Sequence, residues 1–172
     1  HFKARGGGSI INISSVHGIQ GGEVNTVYAA TKGGIIGVTQ ALATELAPFS
    51  IRANTISPGA INVGHSLESC LEKIQSEHHE EFLRLFGDRY DPVHRYFQPL
   101  ETIGLPQDIA WCAVYLASEE SRFVTGQNIA VDGGVTTYLS GGPLESSRSQ
   151  KRDALRQELQ EWIAAHAKSD AR

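Results

Sequence analysis

The sequence predicts an α/β fold, because short apolar strand segments alternate with long helical segments along the chain. Three segments have the β-branched, apolar composition of buried strands, and they lie at residues 9–13, 51–57 and 128–131. Helical segments at residues 25–46 and 106–118 separate them. Strands that alternate with helices form parallel sheets, because each connecting helix packs on a face of the sheet. We therefore expect these three strands to belong to one parallel sheet.

Helix-starting and helix-ending residues set the bounds of the two helical segments. The first helix is expected to begin near Asn25, which can cap it, and Pro48 cannot continue it. The second has Pro106 and Asp108 in its first turn, where a fixed φ and a negative charge are both favourable.

Two further segments lack the strand pattern. Residues 64–100 are rich in charge and carry four of the seven histidines, and residues 67–86 can form one or two amphipathic helices, as in a lid over a site. Residues 140–150 have the composition of a linker. Residues 153–168 are predicted to form a helical tail. Its apolar stripe consists of Leu155, Leu159, Trp162 and Ile163.

Length and composition exclude several classes of protein. The chain has 172 residues, 40% of them hydrophobic, and a formal net charge of −4, which suits one globular domain and gives no electrostatic footprint for nucleic acid or an anionic membrane. No apolar run approaches the ~18–20 residues of a membrane span, and the start of the chain lacks a signal-peptide core. Cys70 and Cys112 fit no zinc spacing and are expected to be free thiols of a cytoplasmic protein.

The residues that can do chemistry lie near the first strand and the first long helix. Tyr28 and Lys32 are four residues apart, so they share one helix face, and an ammonium beside a phenol stabilises the phenolate needed for acid–base work. A half-buried tyrosine beside a solvated lysine is the commoner outcome of such a pair. Ser15 follows the strand in a glycine-rich loop, where its hydroxyl can bond a substrate carbonyl oxygen or, alternatively, its own backbone.

Four sequence motifs, which occur in a fixed order, make the functional interpretation of these residues more specific. They are NISS at 12–15, YAATK at 28–32, RANTISPG at 52–59 and GQNIAVDGG at 126–134. With them the sequence resembles, over about residues 6–134, the carboxyl-terminal half of a short-chain dehydrogenase/reductase. The resemblance implies a partial Rossmann-type, doubly wound parallel sheet within residues 1–139, in which residues 64–100 are the substrate lid. Residues 140–172 then form a linker and a helical tail.

The resemblance also implies a role for each matching residue. Tyr28 would exchange the proton with the carbonyl or alcohol oxygen of the substrate. Lys32 would support Tyr28 and hold the nicotinamide ribose. Ser15, rather than Ser14, matches the family serine by its distance from the tyrosine. His17, two residues further on, is a candidate for substrate contact, with an exposed loop histidine as the alternative.

The cofactor-binding residues implied by the resemblance are Tyr28, Lys32, Pro58, Gly59 and Ile61, the last through its backbone. Asp132 and Gly133 are implied to end the last strand as structural residues. The family usually has a threonine two residues after the position of Ile61, where this chain has Val63, which cannot donate a hydrogen bond. Either cofactor affinity is lower as a result, or a nearby residue such as Asn62 or Ser66 substitutes for the threonine.

The sequence is expected to be a piece of a longer protein, because it contains no methionine and begins with His1. The family's glycine-rich phosphate turn, its ribose selector and its catalytic asparagine all precede the matched region. The triplet at 6–8 is not that turn, because it precedes a strand instead of following one. No metal site is expected either, because the segment EHHEE at 77–81 lacks the HExxH spacing.

Two functions from different classes follow. The first is an oxidoreductase that uses NAD or NADP to move a hydride between nicotinamide and a small-molecule carbonyl or secondary alcohol, with the 172-residue chain alone inactive. The second is a truncated, non-catalytic fragment that acts, if at all, as an interaction module. A homo-oligomer, dimer or tetramer, is expected by the resemblance, because the long helix packs across a subunit interface in the family. The sequence sets neither the substrate, nor the choice of cofactor, nor the direction of reaction.

Overall fold

The structure is a computed structural model that describes residues 1–87, 96–138 and 143–168. Two compact units make up the chain. The first contains His1–Gly59 and Leu105–Thr137, and the second contains Ala60–Gly104 and Tyr138–Arg172.

The sheet of the first unit confirms the predicted α/β class. It consists of β1 (Gly8–Ile13), β2 (Ile51–Pro58) and β3 (Asn128–Val131), in the spatial order β1-β2-β3 and all parallel. Gly8 pairs with Ile51 at one end of the β1–β2 register, and Ile13 pairs with Ile56 at the other. All three predicted strands are therefore present, with bounds within one residue of the expected ones.

Helices occur in both units. Those with both ends in the described residues are α1 (Phe2–Arg5), α2 (Thr26–Leu46), α3 (His65–Leu71), α4 (His79–Phe86), α5 (Pro106–Ala117) and α6 (Pro143–Ala165). In α5 the Asp108 carboxylate accepts a hydrogen bond from the Leu105 backbone at 2.7 Å, which closes the first turn as its position predicted. None of these helices combines the length and the apolar composition that crossing a bilayer requires.

The central strand β2 carries the core of the first unit. Ile51, Ala53 and Ile56 are buried. Asn54 is also fully buried, and its side chain donates to the Val124 carbonyl at 2.8 Å and accepts from the Gln127 backbone at 3.0 Å. These bonds offset the cost of burying an amide and fix the segment that enters β3.

The second unit has its own apolar core, built from the lid segment and the tail. Cys70, Ile74, Phe82 and Phe86 are buried there, and Leu71, Leu159, Trp162 and Ile163 pack against them. The amphipathic helices expected within residues 67–86 are thus present as α3 and α4, and the apolar stripe of the tail covers them. The two phenylalanines of this core, Phe82 and Phe86, are almost fully buried.

The predicted linker at 140–150 differs from the structure from residue 143 onward, where α6 already runs. Arg148 is 6% exposed, and its guanidinium lies 5.0 Å from the Tyr138 ring. The Lys151 ammonium lies 3.0 Å from a Glu101 carboxylate oxygen. Arg148, one of the polar residues that suggested a linker, is therefore packed within the second unit.

Candidate active site

Two neighbouring serines leave the carboxyl end of β1 in different roles. The backbone N–H of Ser14 donates to the Ile56 carbonyl at 2.8 Å, and its hydroxyl donates to the Lys32 carbonyl at 2.7 Å. Ser15 caps the 3-10 turn Val16–Gly18, and its hydroxyl oxygen accepts from the His17 N–H at 3.2 Å. In the described part of the chain this is the one hydrogen bond of the Ser15 side chain. Ser14 is therefore committed to the helix, whereas Ser15 retains its hydroxyl proton for another acceptor.

The turn after Ser15 lies close against α2. A Cβ at Gly18 would come within 2.8 Å of the Lys32 backbone carbon and of the Ser14 hydroxyl oxygen. Only glycine allows this approach without a shift of the backbone. The glycine thus sets the distance between the loop that carries Ser15 and the helix that carries Tyr28 and Lys32.

Tyr28 and Lys32 lie one turn apart at the amino end of α2, as the sequence predicted. The Lys32 ammonium donates to the Ile13 carbonyl at 3.3 Å and lies 5.6 Å from the centre of the Tyr28 ring. That separation is within the range of a cation–π contact. The ammonium is thus held between the end of β1 and the phenol, while the Tyr28 side chain remains 44% exposed.

His17 is packed against Tyr28. The two ring centres are 5.9 Å apart in an edge-to-face arrangement. A Cβ at Gly22 would come within 2.7 Å of the His17 ring, so the loop also closes on its other side. Packing therefore holds the half-buried imidazole beside the phenol. This differs from the alternative expectation of an exposed loop histidine.

Pro58 and Gly59 end β2 at the same edge of the sheet, because parallel strands present their carboxyl ends together. The Gly59 N–H donates to the Val131 carbonyl at 3.0 Å, and a Cβ at Gly59 would lie 2.7 Å from the Asp132 Cα. The Asp132 carboxylate accepts from the backbone N–H groups of Gly134 and Thr136, each at 2.8 Å, and from the Thr136 hydroxyl. Asp132 thus shapes the loop after β3 that Gly59 approaches.

Ile61 belongs to the second unit, where it forms a parallel bridge with Gly104. The side chain of Asn62 accepts from the Gly64 N–H at 2.9 Å and so helps to shape the turn before α3. Val63 is largely exposed. The side chain of Ser66 lies outside the described residues.

The sequence motifs alone did not predict the close backbone approaches at Gly18 and Gly59, or the hydrogen bond from the Ser14 hydroxyl to the helix. The positions of Gly18 and Gly59, each next to a motif residue, are the signal from which a close backbone approach could have been predicted. No comparable signal distinguishes Ser14 from Ser15, because their difference depends on where α2 packs.

This geometry can be compared with known proteins. A family model described as Enoyl-(Acyl carrier protein) reductase matches residues 2–136. A 3-oxoacyl-(acyl-carrier-protein) reductase of Thermotoga maritima is 40% identical over 128 residues, which cover 74% of this chain and 45% of that protein. The chain spans about half the length of the curated relatives that it matches.

Solved structures agree with the sequence relatives. A 4-hydroxyisoleucine dehydrogenase complexed with NADH is 34% identical, with a TM-score of 0.56, covering 76% of this chain and 47% of that one. A structure described as ElxO with NADP bound is 27% identical, with a TM-score of 0.64, covering 80% of this chain and 50% of that one. The family match, together with the sheet and its motif-bearing loops, shows that the chain belongs to the short-chain dehydrogenase/reductase family.

Proposed function

We propose that the protein carrying this chain is an NAD(P)-dependent oxidoreductase, which transfers a hydride between nicotinamide and a carbonyl or secondary alcohol. The observation that carries this proposal is the position of the Lys32 ammonium, 3.3 Å from the Ile13 carbonyl and 5.6 Å from the Tyr28 ring centre. A fixed cation beside a half-exposed phenol favours proton exchange at the phenol oxygen. Ser15 and His17 come from the adjoining loop, which supports a shared role.

The nicotinamide end of the cofactor fits the residues described here. Lys32 has three N–H donors, of which one is occupied by Ile13, so it can also bind the ribose hydroxyls. Pro58 and Gly59 would border the nicotinamide ring at the end of β2. For the pyrophosphate, no glycine-rich turn leads from a strand directly into a helix within the described ranges. The bound cofactor would supply or accept the hydride.

Each side chain then has one step in the chemistry. During reduction the carbonyl carbon gains a hydride and its oxygen gains negative charge. The Ser15 hydroxyl would hydrogen-bond this oxygen, and Tyr28 would give it the phenolic proton, so that the product is a neutral alcohol. Lys32 stabilises the phenolate that remains. Oxidation runs the same steps in reverse.

The class of substrate is set more loosely than the reaction. One relative is named a reductase of a 3-oxoacyl group on a carrier protein, and one structural neighbour is named a 4-hydroxyisoleucine dehydrogenase. Both names describe exchange between a carbonyl and a secondary alcohol, which supports a small-molecule substrate of that kind. Because the neighbours bind NADH in one case and NADP in another, the proposal covers both cofactors. A homo-oligomer remains part of the proposal.

Replacing Tyr28 in the protein that carries this chain tests the role of the phenol. Tyr28→Phe should abolish turnover of a carbonyl substrate while binding of the reduced cofactor persists, because only the hydroxyl is removed. Tyr115→Phe is a matched control, since Tyr115 has a similar exposed fraction, 42% against 44%, on a different helix. Turnover that persists in Tyr28→Phe would contradict the assignment.

A second candidate function is that of an interaction module without catalysis. It is favoured by the free edge of β1, which pairs within the described residues only with β2, and by an adjoining groove of about 400 Å³. The groove is lined by Asn12, Ile13, Thr31, Gly34, Ile35 and Val38. An unpaired strand edge can recruit another strand.

Titration of the 172-residue chain with NADH and NADPH separates what the chain does alone from what its parent protein does. We expect no saturable change in nicotinamide fluorescence at micromolar cofactor, because the described residues lack a pyrophosphate turn. Micromolar binding would overturn the expectation that the chain alone binds the cofactor weakly or not at all. Self-association or strand pairing without cofactor binding would favour the module.

A further inference from the structure

We propose that the second unit contains a site for a divalent transition-metal ion of the zinc class, formed by His78, Glu81 and His166. Each of these residues offers one ligand atom, and the three atoms lie within 4.8 Å of one another. Two imidazoles and a carboxylate form a ligand set that zinc commonly uses, with a fourth position left for water. The site is separate from the residues proposed for hydride transfer.

The site joins two elements that are distant in sequence. His78 is the N-terminal flanking residue of α4, Glu81 lies three residues further on the same helix, and His166 follows the end of α6. The His78 Nδ1 and a Glu81 carboxylate oxygen are 3.9 Å apart, and the His78 and His166 ring centres are 4.5 Å apart. Small side-chain rotations would bring these atoms to the ~2.0–2.2 Å ligand distances of zinc.

The hydrogen bond of the His166 ring occupies one ring nitrogen and leaves the other for a metal. The His166 Nδ1 lies 2.8 Å from the Trp162 carbonyl oxygen, and because a carbonyl only accepts, Nδ1 carries the proton. Nε2 then has its lone pair free for coordination. A backbone carbonyl bound to the far nitrogen is the usual way in which proteins orient a metal-binding imidazole. The ring is also fixed by stacking on Trp162, with the ring centres 3.9 Å apart.

The charges around the cluster favour a cation. A Glu77 carboxylate oxygen lies 3.5 Å from the His78 Nε2 and adds a second negative charge. His166 stands at the carboxyl end of α6, where backbone carbonyls carry partial negative charge. Arg84 opposes this in part, because its guanidinium lies 3.7 Å from one Glu81 oxygen, but the other oxygen is the one that faces His78.

Sequence spacing gave no indication of this site. The EHHEE segment lacks the histidine spacing of HExxH, and the second histidine ligand, His166, comes from the end of the tail through tertiary packing. A bound ion would join α6 to α4 and so strengthen the aromatic core between them, which contains Phe82, Phe86 and Trp162.

The stacked tryptophan provides a direct test. The chain has two tryptophans, so in a Trp111→Phe background the emission comes from Trp162 alone. Titrating the untagged 172-residue chain with Zn²⁺ should change this emission in a saturable way, in the micromolar range. Co²⁺ should bind with the visible absorption of a nitrogen- and oxygen-ligated ion. Zinc should also raise the melting temperature, because it binds the folded state.

Variants of the three ligands should weaken zinc binding by about tenfold or more. Two test variants, His166→Gln and Glu81→Gln, each remove one ligand. The matched control is His79→Gln on α4, and this variant should bind zinc with the affinity of the unsubstituted chain. Far-UV circular dichroism establishes that each variant is folded before titration. Equal affinity in His166→Gln and the unsubstituted chain, or no saturable change up to millimolar zinc, would overturn the proposal.

Discussion

The Ser14 hydroxyl donates a hydrogen bond to the Lys32 carbonyl oxygen at 2.7 Å, and this bond ties the end of β1 to the helix that carries Tyr28. The neighbouring Ser15 bonds only within its own turn in the described part of the chain. One serine therefore joins the strand to the helix, whereas the other, which is also buried, donates its hydroxyl proton to no acceptor within the described residues. Substitution of each should affect a different property.

Ser14→Ala should lower the free energy of unfolding by about 1–2 kcal/mol, because a buried bond between strand and helix is lost. In the protein that carries this chain it should leave measurable turnover. Ser15→Ala should instead abolish most turnover while cofactor binding persists. Urea unfolding and steady-state kinetics of both variants check this. The opposite pattern, with turnover lost only in Ser14→Ala, would exchange the two roles.

Gly18→Ala should destabilise the first unit by roughly 1–3 kcal/mol, as expected for overpacking against backbone. The added Cβ would lie 2.8 Å from the Lys32 backbone carbon. Gly21→Ala is the matched control, because no atom lies within 4 Å of its added Cβ. Denaturant unfolding of both variants gives the comparison, and equal stability of the two would mean that the turn tolerates a larger separation from α2.

Asp132→Asn should cost about 1–3 kcal/mol of stability, since the three hydrogen bonds that the carboxylate accepts cannot all be kept by an amide. Asp153→Asn is the control on an exposed carboxylate, whose ion pairs with Arg152 and Arg156 are worth about 0–1 kcal/mol. Thermal unfolding distinguishes them. If Asp132→Asn lowers stability no more than Asp153→Asn does, the Asp132 carboxylate does not have a structural role in the loop.

Val24→Gly should stabilise the chain by about 1 kcal/mol. Val24 has a φ of 63°, which is unfavourable for a β-branched residue, and its side chain is fully exposed, so glycine relieves strain without loss of packing. Val27→Gly provides the contrast, because the same change inside α2 should destabilise by about 1 kcal/mol. Chemical unfolding measures both, and destabilisation by Val24→Gly would contradict the strain.

Burial raises the pKa of the Cys112 thiol above its ordinary value. Because the folded-state pKa is the higher one, the contribution of this thiol to stability is present below the ordinary thiol range and is lost as the pH rises through the raised pKa. Alkylation of Cys112 in a Cys70→Ala background should therefore be slower in the folded than in the urea-unfolded chain at pH 8–9, a range taken from the ordinary thiol pKa of about 8.5. Equal rates would contradict the shift.

Local sequence signals predicted most of the first unit. The strand at 128–131 was placed at its observed bounds, and the two long helices were placed to within one residue at each end. Proline, glycine and β-branched runs act through backbone sterics, so they can be interpreted without knowledge of the fold.

Contacts between distant segments account for what the sequence did not show. The approach of His166 to His78 depends on packing between the lid and the tail, and Arg148 is buried beside the Tyr138 ring. No local pattern in the tail contains that information, because its stripe fits any apolar partner. The proposed catalytic residues were placed by motif, whereas the bond that separates Ser14 from Ser15 required the packed helix.

The apolar stripe of α6 lies outside the region that the family model matches, yet three of its residues, Leu159, Trp162 and Ile163, pack against the second unit's core. A change in Leu159, Trp162 or Ile163 would therefore reach the lid helices without altering any motif residue. Divergence in this tail therefore offers a route by which the packing of residues 65–86 can change while the four motifs of the first unit stay the same.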